Sequence, residues 1–141
     1  MAITQCMVSS FKTDILGGVQ DLDTDVLKIA LYTSAASLNA STTAYSSTNE
    51  VSSSGTGYTA GGNTLAGATI SLDGTTAVVD FSDTTWTSAT ITARGALIYN
   101  SSKSNKAIAV LDFGADKSST NGNFTINFPS ATAGSALIQI A

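Results

Sequence analysis

Histidine is absent from this chain of 141 residues, and cysteine, proline and arginine occur once each. Enzymes draw most of their acids, bases, activated nucleophiles and metal ligands from histidine, cysteine and charged residues. Without histidine, a hydrolytic serine would need a lysine as base, and no serine sits in a nucleophile-elbow pattern. Lone Cys6 cannot close an internal disulfide and reads as a small buried hydrophobe. Charged residues make up only 11% of the chain, under half the usual share. The six basic residues, Lys12, Lys28, Arg94, Lys103, Lys106 and Lys117, are scattered, and the net charge is −4. No stripe could neutralise a phosphate track, so nucleic acid is not an expected partner. No apolar run approaches the length of a membrane-spanning helix, so no membrane partner is expected either. The first residues, Met1 to Gln5, lack the basic start of a secretory signal, which makes cytosolic synthesis and folding the expectation.

Serine and threonine, by contrast, fill roughly three residues in ten. The apolar fraction is an ordinary 43% and mean hydropathy is +0.20, so the chain is expected to fold around one core. Its surface must then consist of hydroxyls, amides and alanine. Such a surface repels copies of itself weakly and suits packing into an assembly.

One helix is predicted. Val8, Phe11, Ile15, Leu16 and Val19 share a face at helical spacing, with Ser9 or Ser10 as cap and Gly17-Gly18 as the stop. Two to three turns are too short to stand alone, so this helix must dock on its own sheet or on a neighbouring subunit. The period then changes to two. Leu27, Ile29 and Leu31 form one face of a strand, with Lys28, Ala30 and Tyr32 on the other. Residues 33–67 hold no strong strand and read as a surface-following excursion anchored at Leu38, Tyr45, Val51, Tyr58 and Leu65. Thr69–Leu72 and Thr76–Phe81 flank the turn residues Asp73-Gly74-Thr75 as a hairpin. Separate short strands follow at 90–93, 96–99, 107–113, 124–128 and 136–140, with Asn121-Gly122 as a turn. The expected class is mainly all-β: a single-domain β-sandwich, jelly-roll-like, with one short N-terminal helix. Residues 1–25 form an N-terminal arm and 26–141 the sandwich domain with its Ser/Thr/Gly-rich excursion.

Chemistry-bearing patterns are weak. Asp80, Asp83, Asp112 and Asp116 lie at strand ends and could in principle converge as glycosidase carboxylates, but Asx-turns are the plainer reading. Asp21, Asp23 and Asp25 resemble the start of a calcium loop, yet Val26 and Tyr32 stand where an EF-hand needs glycine and glutamate. Gly55-Thr56-Gly57 and Gly61-Gly62 lack the lysine and strand of a phosphate loop. No catalytic residue, cofactor or metal ligand is expected. Trp86 reads as a core or rim aromatic, and Arg94 as the partner of an aspartate or as an interface anchor. The interface candidates are Phe11, Ile15, Tyr45, Tyr58, Trp86 and Arg94.

Five segments resemble small virion proteins of tailed bacteriophages. They are Lys28–Ser34, Gly57–Gly62, Thr90–Asn100, Val110–Lys117 and Phe124–Pro129. The likeness runs from about residue 9 onward, with Ser52-Ser53-Ser54 as a small insertion. It implies a non-enzymatic structural protein, of the capsid decoration, or cement, type. Such proteins resemble jelly rolls, form dimers or trimers, and sit on the outer capsid over the major capsid protein. A tail, adaptor or baseplate component and a host-surface glycan-binding module are the alternatives. The resemblance further implies location on the capsid surface of a virion, with the helix and the excursion reaching neighbours.

Overall fold

The computed structural model describes residues 2–141. The strands are β1 (Cys6–Met7), β2 (Leu27–Tyr32), β3 (Asn63–Thr64), β4 (Thr69–Asp73), β5 (Thr76–Asp80), β6 (Thr84–Asn100), β7 (Lys106–Ile126) and β8 (Ile138–Ile140). One helix, α1 (Ser9–Leu16), and a 3-10 turn at Ser101–Lys103 complete the elements. The fold is all-β, as expected. A five-stranded sheet runs β1-β7-β6-β2-β3 and a three-stranded sheet runs β4-β5-β8, both antiparallel.

The spine of the molecule is the β6–β7 hairpin. Sequence reading splits each of these strands in two, but β6 and β7 are continuous over 17 and 21 residues. At strand rise, β6 alone spans roughly 55 Å. The turn-forming residues inside it make bulges instead of reversals. Lys117 pairs with Ala93 while Asp112 pairs with Gly95, so residues 113–116 loop out opposite Arg94 alone. Gly114 takes the positive φ (78°) that this loop requires. Asn121, expected in a turn, sits within β7 at φ 46°.

β2 does not alternate between buried and exposed, because both its faces are covered. Tyr99 and Asn100 point to opposite faces of adjoining β6. Tyr45 of the excursion stacks on Tyr99 at 4.7 Å, while Gln20 of the N-terminal arm meets Asn100 on the other side. The N-terminal arm therefore shares the core of the rest of the chain; its first residue, Met1, lies outside the described residues.

Helix α1 docks on its own sheet, against β7. Its N-terminus is set by Val8, whose N–H bonds the Ile108 carbonyl and whose side chain is fully buried; Ser9 and Ser10 lie inside the first turn and do not cap it. Phe11 is buried and Ile15 packs at the margin of the core. Leu16 and Val19, expected on the same buried face, are 89% and 42% exposed. Gly18, at φ 69°, supplies the left-handed stop. The excursion contributes only the two residues of β3 and isolated bridges, and Leu38, Val51, Tyr58 and Leu65 anchor it as buried residues. The β4–β5 hairpin turns through Gly74-Thr75, and Phe81 meets Phe128 edge-on at 5.8 Å where the small sheet joins the body.

Candidate functional site

Glu50 is the only glutamate of the chain, and the excursion closes around it. Its Oε1 accepts the Tyr45 hydroxyl at 2.6 Å, while its Oε2 accepts the Tyr58 hydroxyl at 2.5 Å and the Gly61 N–H at 2.7 Å. Tyr58 in turn accepts the Leu31 N–H of β2 at 2.9 Å. Tyr99 donates to the Gly61 carbonyl and Tyr32 to that of Ser46. All four tyrosines of the chain thus pin residues 45–61 to β2 and β6. Gly62 lets this segment lie against β2: its φ is 79°, and a Cβ there would run into the Ile29 carbonyl oxygen. Burial, and after it the Glu50 carboxylate, pushes the tyrosine hydroxyls above their ordinary ionisation range, Tyr99 to about 12. At neutral pH the cluster is a clamp of donors on one carboxylate.

A second polar knot joins the N-terminal arm to the hairpin tip. Asn100, fully buried, donates to Asp25 Oδ2 at 2.7 Å and to Gln20 Oε1 at 3.1 Å. Burial pushes the Asp25 carboxyl up, but the Asp21 N–H, the Asn100 amide and Lys103 outweigh it and hold it below its usual range. The Asp21–Asp25 run is therefore occupied by protein donors, with Asp21 closing an Asx-turn on the Asp23 N–H. Among the described residues no group of three or more acidic or thiol side chains is placed to hold a metal.

The four strand-end aspartates do not converge on one another. Asp80 accepts the Phe81 N–H, Asp83 that of Phe128, and Asp112 that of Gly114, while Asp116 pairs with Arg94 at 2.8 Å. Beside β7 lies a cleft of about 820 Å³ lined by Met7, Leu111, Phe113, Phe124, Phe128 and Leu137 among others. Its charged lining residues are Asp112 and Lys117.

The interface candidates separate. Phe11, Tyr58 and Trp86 are 1%, 2% and 3% exposed, so they hold the core and are not available to a neighbour. Trp86 packs between Tyr58 and Phe124. Ile15 is partly buried, and Tyr45 is committed to Glu50 and Tyr99. Arg94 is partly exposed and clamps the β7 bulge through Asp116. What sequence reasoning missed is Glu50; its solitary status in a chain with four tyrosines was the available signal.

The exposed face of the β6–β7 ribbon carries Thr85, Thr87, Thr90 and Thr92 beside Ser118, Thr120 and Thr125. The hydroxyls of Thr85 and Thr125 lie 2.9 Å apart and those of Thr92 and Ser118 3.0 Å apart. No protein-family model, curated protein or solved structure matches the chain significantly.

Proposed function

We propose that this chain is a non-enzymatic structural protein of a phage particle, a capsid decoration protein that binds the outer surface of the major capsid lattice and stabilises the shell. The observation that carries the reading is the hydroxyl-clad face of the β6–β7 ribbon. It is long, fixed by the strand ladder beneath it, and nearly free of charge, since its Arg94 and Asp116 neutralise each other. A face of this kind makes many weak polar contacts with another protein surface, and repetition over a lattice adds them. Binding the assembled shell better than its separated parts stabilises it by mass action. The excursion, held by the Glu50 clamp, adds a second fixed surface. A glycan-binding module would need an accessible aromatic platform, and Trp86 is buried.

Copy number in purified particles tests this, by quantitative mass spectrometry with the major capsid protein as reference. A simple fraction of the capsid count, together with a raised rupture temperature when the protein is added to stripped shells, is the expected result. A dozen copies would assign the chain to the tail, and absence from the particle would remove the reading.

A further inference from the structure

The small sheet leaves its β4 edge open and one face covered only in part. β4 is its outer strand, and all five residues are exposed. The register of the sheet aligns Ile70 with Val79 and Ile138, and Leu72 with Ala77 and Ile140, on one face. Val79 and Ile138 are buried in the core, but Ile70, Leu72 and Ile140 are 49%, 72% and 53% exposed. On the opposite face Val78 is buried, the Ala133 N–H bonds Asp73 and the Gly134 N–H bonds Gln139, while Thr69 and Ser71 stay exposed.

The direction of the backbone groups follows from the turn. A two-residue loop makes Asp73 and Thr76 a pair that exchanges both hydrogen bonds. Counting by twos, Ser71 and Thr69 also face β5, so Ile70 and Leu72 turn their N–H and C=O groups to the open edge. Natural edges are usually blunted by charge, proline or a bulge. This one has none of the three: its single charge, Asp73, is folded back onto the Ala133 N–H at 2.7 Å.

We propose that two copies of this chain pair antiparallel through β4, about a twofold axis at Ser71. The self-complementarity of the strand points to a second copy as the occupant. Centred on Ser71, Ile70 of one copy faces Leu72 of the other, and each such pair exchanges both hydrogen bonds. Apolar then meets apolar on the same face, and Asp73 meets Thr69, so no like charges oppose. A register shifted by one residue sets isoleucine against serine and outward-facing groups against inward-facing ones. A shift by two leaves part of the strand unpaired. The contact is a small one, below the area of a stable dimer, so it forms at high local concentration. It does not depend on the shell reading and stands or falls in solution.

Disulfide trapping of the full chain tests the register. In the paired state the two Ser71 Cα atoms form a narrow pair about 4.5 Å apart, within disulfide range. Thr69 and its own copy are roughly 14 Å apart by strand rise. In a Cys6→Ser background, Ser71→Cys should therefore form covalent dimer at least about tenfold faster than Thr69→Cys or Asp73→Cys under mild oxidation. Adding Ile70→Pro, which removes an N–H that β5 does not use, should lower the Ser71→Cys rate to that of the other two. Circular dichroism verifies that each variant is folded. Equal rates at the three positions, or an unchanged rate with Ile70→Pro, would overturn the proposal.

Discussion

Replacing Glu50 by alanine removes the acceptor of three donors at once, and the structure says which losses are costly. Tyr58 is 2% exposed; its hydroxyl would still accept from Leu31 but would have nowhere to donate. A stranded buried donor costs about 1–3 kcal/mol. The Gly61 N–H, in a buried residue, is stranded in the same way, whereas Tyr45 is only partly buried and can turn to water, losing about 0.5–1 kcal/mol of a charge-assisted bond. The sum is about 4 kcal/mol, which for a domain of this size lowers Tm by about 13 °C. Glu50→Gln keeps the shape and one good acceptor, so it should cost about half as much. Tyr45→Phe keeps the stack on Tyr99 and should cost about 1 kcal/mol. Thermal unfolding followed by circular dichroism gives the magnitudes, and hydrogen exchange across residues 45–61 locates the effect. Protection should fall there first in Glu50→Ala. A Tm change under about 2 °C with unchanged exchange in that segment would refute the idea that Glu50 fixes the excursion.

The remaining predictions concern pH, the polar knot and the tight approach at β2. Tyr99 ionises near 10 when unfolded and at about 12 when folded; its contribution is present below pH 10 and is lost as pH rises towards 12, so unfolding and the tyrosinate absorbance should rise together in that window. Asp25 is held below its ordinary value of 3.8; its contribution is present above that value and is lost as pH falls through the folded pKa, and Asp25→Asn should flatten the acid limb of a stability–pH curve. Asn100→Ala strands Gln20 and Asp25 beneath the hairpin tip and should cost about 2–3 kcal/mol in denaturant unfolding. Gly62→Ala adds both a positive-φ penalty and a clash with backbone, and should yield little folded protein by gel filtration, with losses above about 4 kcal/mol in whatever folds.

Period and turn chemistry made the all-β class, β2 and the β4–β5 hairpin legible from sequence. Turn chemistry misled in β7, because Gly114 and Asn121 serve bulges, and a bulge uses the same positive-φ residues as a reversal. Helical spacing in α1 correctly singled out Phe11, but it could not show that the docking stripe ends before Leu16. Trp86 reads in the sequence as a core or rim aromatic and Tyr58 as an anchor of the excursion, with both also as interface candidates, and the structure buries the two of them. The Glu50 cluster escaped notice because its members are spread from residue 32 to residue 99, and only the folded sheet brings them together. The exposed hydroxyl face was implied by composition, while its position on the β6–β7 ribbon depended on the register.

The pairing of β1 with β7 sets a timetable for the chain. Cys6 lies beside Val110, so about a hundred residues must be made before this strand finds its neighbour. At roughly 5–20 residues per second that is a wait of some 5–20 s. β2 waits about two-thirds as long for Gly95–Asn100. Contacts so remote in sequence slow the search for the native state, and the apolar Leu27–Tyr32 segment remains uncovered until β6 is in place. The hydroxyl-rich residues 33–67, which emerge directly after it, keep the nascent chain from carrying a second apolar strand through that interval.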